Sequence, residues 1–134
     1  MTSRAQETVL IVDADILIRQ PLAEYLRECG YKVVEAADVA EAKRLLIDAS
    51  IAIHIVLADV DPPGPDNGFA LASWIRTNYP DVEVVLAGTI EKATRSAGEL
   101  CDEGTALKKP YEHQVVLARI KQSLAARERD RGKS

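Results

Sequence analysis

Three side chains stand where a parallel sheet would set them to work on a phosphate or a metal ion. Asp59 ends an apolar run, Ile51-Ala52-Ile53-His54-Ile55-Val56-Leu57-Ala58, and opens a turn-forming stretch, Val60-Asp61-Pro62-Pro63-Gly64-Pro65-Asp66-Asn67-Gly68. Asp13 follows a second run, Thr8-Val9-Leu10-Ile11-Val12, and Lys109 falls near the end of Thr105-Ala106-Leu107-Lys108-Lys109-Pro110. Buried parallel strands read as such runs, and ligands in open α/β sheets bind beyond the carboxyl ends of the strands. With the Thr8–Val12 and Ile51–Ala58 runs side by side at the sheet centre, Asp13, Asp59 and Lys109 converge on one edge. Neighbouring carboxylates repel, which favours a hard cation such as Mg²⁺, and a lysine beside them offsets the repulsion and holds a phosphoryl oxygen. A metal, a nucleophilic carboxylate and a lysine are the equipment for phosphoryl transfer to an aspartate.

The elements that must position these groups alternate along the chain. After the first strand, Ile18, Leu22, Tyr25, Leu26 and Cys29 recur at helical spacing over residues 16–29, with Gly30 as a natural stop. Tyr31 to Ala36 reads as a strand, and Asp38 is suited to cap a helix carrying Val39, Ala42, Leu45, Leu46 and Ala49. The strand ending at Asp59 precedes a helix from Phe69 to Asn78, stopped by Pro80. Val82 to Ala87 forms a fourth strand leading into Gly88 and Thr89. Glu91 to Glu103 reads as a weakly amphipathic helix of small apolar residues and is expected to be the least rigid. A fifth strand and a long helix from Glu112 to Glu128 complete the chain, with Val116, Leu117, Ile120 and Leu124 inward. The alternation predicts a doubly wound α/β fold: a five-stranded parallel sheet in the order 2-1-3-4-5, flavodoxin-like, with five helices on its two faces. Residues 1–7 are an N-terminal extension, 8–127 the domain and 128–134 a frayed tail.

The 134 residues suffice for one domain, and 47% hydrophobic and 28% charged residues are the balance of a globular protein. A formal net charge of −4 argues against nucleic acid and anionic membranes as partners. No apolar run is long enough to span a membrane, and residues 1–7 lack the apolar segment of a secretory signal, so a cytoplasmic location is expected. Cys29 and Cys101 fall at apolar helical positions and are expected as buried thiols in a reducing compartment.

Three stretches together resemble the receiver domain of bacterial two-component response regulators, a CheY-like fold, over residues 8–127. They are Val9-Leu10-Ile11-Val12-Asp13, the strand ending in Asp59 with Pro63 and Gly68 beyond it, and Lys109-Pro110-Tyr111. The resemblance implies that Asp59 is the phosphoacceptor, Asp13 an acidic metal ligand, Lys109 the phosphate contact and the Asp61 backbone carbonyl a further Mg²⁺ ligand. It also implies a cis peptide before Pro110. Such a domain takes its phosphoryl group from a histidine kinase or phosphotransfer protein and passes the signal to a downstream protein. It is not an enzyme beyond its own phosphorylation and dephosphorylation. With no output domain following, the resemblance reads as a stand-alone receiver, with homodimerisation through the fourth helix, fifth strand and fifth helix as a further expectation.

The departures from the family pattern matter as much. The second acid after the first strand is replaced by Ala14, and Asp15, one residue late, is better placed to cap a helix. Mg²⁺ binding is therefore expected to be weak. Gly88 stands where the family carries a hydroxyl, with Thr89 adjacent as a possible substitute, and Ala106 stands where a switch aromatic is usual. The alternative reading of the chain is a pseudo-receiver, an interaction module that keeps the fold without the switch. For Asp59 alone the alternative is an acid capping the turn before Pro62. Trp74 and Phe69 read as core or edge packing.

Overall fold

The structure is a computed structural model that describes residues 7–60, 67–104 and 113–132. Four strands, β1 (Thr8–Val12), β2 (Lys32–Ala36), β3 (Ile55–Asp59) and β4 (Glu83–Ala87), form a parallel sheet in the order β2-β1-β3-β4. Five helices surround it: α1 (Ile16–Glu28), α2 (Val39–Ile47), α3 (Gly68–Asn78), α4 (Ile90–Gly104) and α5 (His113–Gly132). The expected fifth strand falls on residues outside the described ones. β3 begins at Ile55 rather than Ile51, because Asp48 binds the amides of Ser50 and, through its carbonyl, Ile51 in a turn.

β1 is buried throughout, and its alternate side chains serve two cores. Val9 and Ile11, with Ile55 and Leu57 of β3, face α1, α4 and α5. Leu10 and Val12, with Val56 and Ala58, face α2 and α3. Complete burial of a Leu or Ile side chain contributes about 1.5–3 kcal/mol, so this central pair of strands anchors the domain. The register sets Val12 beside Ala58 and Asp59 beside Ala87, which brings the ends of β1, β3 and β4 level.

Helix starts follow local chemistry. Asp15 caps α1 by accepting the Leu17 amide at 2.9 Å, Asp38 caps α2 through the Glu41 amide at 2.8 Å, and Asn67 caps α3 through the Ala70 amide at 2.8 Å. Gly30, at φ 103°, makes the turn from α1 into β2.

The small apolar residues of α4 gather on one side: Ala93, Thr94, Ala97, Leu100 and Cys101 form a continuous buried stripe, clearer than the weak amphipathicity expected. Right-handed crossovers place α2 and α3 on one face and α1 on the other, and the same rule would carry α4 from β4 to the α2/α3 face. α4 lies instead on the α1 face, against α1 and α5. There Cys101 is disulfide-bonded to Cys29, with the two Cα atoms 5.6 Å apart. The expectation of two free thiols is therefore corrected. A pairing between a helix cap and a helix 72 residues later depends on which face α4 occupies, and helical periodicity carries no information about that.

Candidate functional site

The level strand ends build the site. Asp13 leaves β1 with its amide bonded to the Ala36 carbonyl at 3.0 Å, so the β1–β2 pairing carries through to the acid itself. Its Oδ1 accepts the Asp15 amide at 2.9 Å. Asp59 is the last residue of β3 and half-buried. Asp13, Asp59, Gly88 and Thr89 line one open cleft at the carboxyl edge. The structure thus brings together Asp13 and Asp59 as the sequence implied, with Thr89 on the rim. Lys109, Asp61, Ala106 and Pro110 lie outside the described residues.

Burial pushes the Asp13 carboxyl up from its ordinary 3.8 to about 6. The Asp59 and Asp15 carboxylates push it further the same way, while the Asp15 amide and the Arg19 guanidinium oppose the shift. Because the folded value lies above the unfolded one, the native state holds the extra proton between about pH 4 and pH 6. The stability that Asp13 contributes is complete below that window and is lost as pH rises through about 6. Allowing for solvent screening, the loss is on the order of 1–2 kcal/mol. Asp13→Asn should therefore be more stable than the wild type at pH 7.5 and lose that advantage by pH 4.5, read by urea unfolding at each pH. A cation on the cleft should stabilise the wild type more at pH 7.5 than at pH 5, where Asp13 takes a proton instead.

Two carboxylates whose charges disfavour each other are suitable hard-oxygen donors for Mg²⁺. Ala14 occupies the position after Asp13, and Asp15 is engaged in capping α1. Among the described residues no group of three His, Cys, Asp or Glu side chains is arranged to hold a metal. Asp13 and Asp59 are the paired carboxylates at the strand ends.

Residues that sequence reading missed complete the frame. Arg19 reaches back from α1, donating from Nη1 to the Asp13 carbonyl at 2.8 Å and from Nε to Glu35 Oε1 at 2.9 Å. It clamps the β1–α1 turn to β2, and nothing in its spacing marks it out. Val60 matters for Gly88: a Cβ built on Gly88 would meet Val60 Cγ2 at 3.2 Å. The room a hydroxyl side chain needs at Gly88 is thus narrowed by a branched residue that follows the acid. Thr89 Oγ1 accepts the Lys92 amide at 3.1 Å at the start of α4, leaving its hydroxyl proton to donate. Gly68 approaches the backbone so closely that a Cβ there would collide with the Asp59 carbonyl oxygen and stand 2.8 Å from Val60 Cα. Away from the cleft, Trp74 packs with the α2/α3 core and carries Lys43 Nζ 5.2 Å from its ring centre, whereas Phe69 is 63% exposed and not part of a core.

A doubly wound sheet with paired acids at the ends of its two central strands defines a class, and residues 9–121 match the response regulator receiver domain. The chain belongs to that family. It is 31% identical over 117 residues to the transcriptional regulatory protein GltR of Pseudomonas aeruginosa, covering 85% of this chain and 47% of that protein. The chain spans about half the length of the curated relatives it matches. Among solved structures it is similar to the non-phosphorylated HemR receiver domain of Leptospira biflexa, at 28% identity and a TM-score of 0.57, over 87% of this chain and 93% of that one. It is also similar to the response regulator TrrA of Thermotoga maritima, solved in complex with Mg²⁺-BeF, at 31% identity and a TM-score of 0.56, over 60% of this chain and 68% of that one. TrrA has also been solved in complex with the histidine kinase ThkA; that chain is 30% identical, with a TM-score of 0.56, over 60% of this chain and 67% of that one. Among the described residues no helix is long and apolar enough to cross a membrane.

Proposed function

We propose that this receiver domain accepts a phosphoryl group on Asp59 from a histidine kinase or phosphotransfer protein and signals to a downstream protein, in the cytoplasm. The observation that carries the reading is the pairing of Asp13 with Asp59 at the level ends of β1 and β3, where burial and mutual repulsion make a cation welcome. An Asp59 carboxylate oxygen attacks phosphorus, a P–O bond forms as the donor's P–N bond breaks, and the electron pair leaves with the donor imidazole. Bound Mg²⁺ supplies charge neutralisation for the transferring phosphoryl oxygens. Asp13 and Asp59 would hold it with the Asp61 carbonyl, Lys109 would contact a phosphoryl oxygen, and the Thr89 hydroxyl would donate to another. The chain is a phosphoacceptor and not an enzyme acting on a separate substrate. The Mg²⁺-BeF complex of TrrA and its complex with a kinase support the choice of ion and donor by likeness.

A second reading, the pseudo-receiver, is favoured by Ala14 and by Val60 crowding Gly88. One experiment separates the two: intact-mass analysis after incubation with a small phosphodonor and millimolar Mg²⁺. The wild type should gain one phosphoryl group slowly, Ala14→Asp should gain it at least tenfold faster at the same Mg²⁺, and Asp59→Asn should gain none. If neither the wild type nor Ala14→Asp gains mass, the pseudo-receiver reading stands.

A further inference from the structure

We propose that the Cys29–Cys101 pair is a redox-sensitive tie that decides where α4 is seated, and so sets the position of the site rim that α4 carries. The inference rests on the cytoplasmic location proposed above, since disulfides in compartments that keep thiols reduced are usually transient or redox-sensing.

The two cysteines join distant parts of the fold. Cys29 ends α1, held by its amide to the Tyr25 and Leu26 carbonyls at 3.1 Å, and Cys101 lies in the C-terminal half of α4. A second link runs beside the disulfide: the buried Tyr31 hydroxyl donates to the Leu100 carbonyl at 2.7 Å. The rest of the α4 contact is made by one large side chain, Leu100, and by the small Ala93, Thr94 and Ala97, so it buries less apolar area than a leucine- or isoleucine-rich helix face. The covalent tie and the Tyr31 hydrogen bond add to this contact at the C-terminal half of α4, where they fix the helix to the end of α1. The other end of the same helix follows Thr89, at the rim of the cleft that holds Asp13 and Asp59. A stiff helix with one end tied to α1 and the other at the cleft relates the state of the cysteines to the site.

The chemistry is thiol–disulfide exchange with a small disulfide of the glutathione type. One cysteine thiolate attacks a sulfur of the small disulfide and expels a thiolate. The second cysteine thiolate then attacks the mixed disulfide, forming the protein S–S bond and releasing the second thiol. Two electrons pass from the protein pair to the small disulfide, and the two protons pass to the released thiols. Cys29 and Cys101 are 2% and 0% exposed, so exchange proceeds through opening of α4.

The test compares hydrogen exchange of the full chain oxidised with glutathione disulfide, reduced with dithiothreitol, and as Cys29→Ser/Cys101→Ser, none with a phosphodonor present. The expected result is exchange in α4 at least tenfold faster in the reduced protein and in the double variant, with β1 and β3 still protected, and return of protection on reoxidation of the wild type. Unchanged α4 protection in the reduced protein overturns the proposal, as does loss of protection across the whole domain or failure to reoxidise. Because no arm involves phosphorylation, the tie can fail while Asp59 proves to be a phosphoacceptor, and the reverse.

Discussion

Gly68→Ala should destabilise the domain by about 2–3 kcal/mol and depress phosphoryl acceptance at Asp59, although it adds a single methyl group. The new Cβ would collide with the Asp59 carbonyl oxygen and come 2.8 Å from Val60 Cα, and both obstacles are backbone. A backbone obstacle cannot rotate away, so the β3–α3 connection itself has to move, which is the costly end of overpacking. That connection is closed by the Gly68 amide, which donates to the Val60 carbonyl at 3.0 Å. Pushing α3 outward therefore displaces Val60, the residue that follows Asp59. Gly88→Ala, just past the end of β4 on the cleft, is the control. Its Cβ meets only the Val60 Cγ2 methyl at 3.2 Å, which side-chain adjustment relieves, and a cost below about 1 kcal/mol is expected. Urea unfolding of the two variants reads the difference, and equal costs would show that the close approach at Gly68 does not constrain the loop.

Removing the cross-link should be the second large effect. The disulfide closes a loop of 72 residues, and the entropy withdrawn from the unfolded chain corresponds to about 4 kcal/mol in the chain-entropy model, with about 2–4 kcal/mol usual in practice. Reduced wild type should unfold roughly 10 °C lower than oxidised protein in calorimetry. Cys29→Ala/Cys101→Ala should match the reduced protein to within about 1 kcal/mol, because alanine removes the cross-link while leaving the helical backbone propensity intact. A double variant as stable as oxidised wild type would mean that the cystine adds nothing to the native fold.

Much of the fold is legible without coordinates. The apolar runs at Thr8–Val12 and Ile55–Ala58 are strands because their residues must be buried on both faces, and only a central parallel strand meets that demand. Asp15, Asp38 and Asn67 announce helix starts through a local side-chain bond to an amide two or three residues on. Local chemistry of this kind needs no distant partner, and it also placed Asp13 and Asp59 at strand ends on one edge. That Ala14 stands where a second acid is usual is legible only through the resemblance to receiver domains.

What the tertiary structure decided is everything that depends on two distant segments meeting. The raised Asp13 carboxyl follows chiefly from its burial in the folded chain, with the nearby Asp59 adding to it. The Arg19 clamp requires α1, the β1–α1 turn and Glu35 of β2 in one place. Val60 bears on Gly88 only because β3 and β4 pair in register. The seat of α4, and with it the Cys29–Cys101 bond, is settled by packing across a sheet face. The periodicity of α4 specifies which of its sides is buried, since that depends on residue spacing within the helix. It is silent on which face of the sheet receives that side, because both faces offer apolar surface of the same kind.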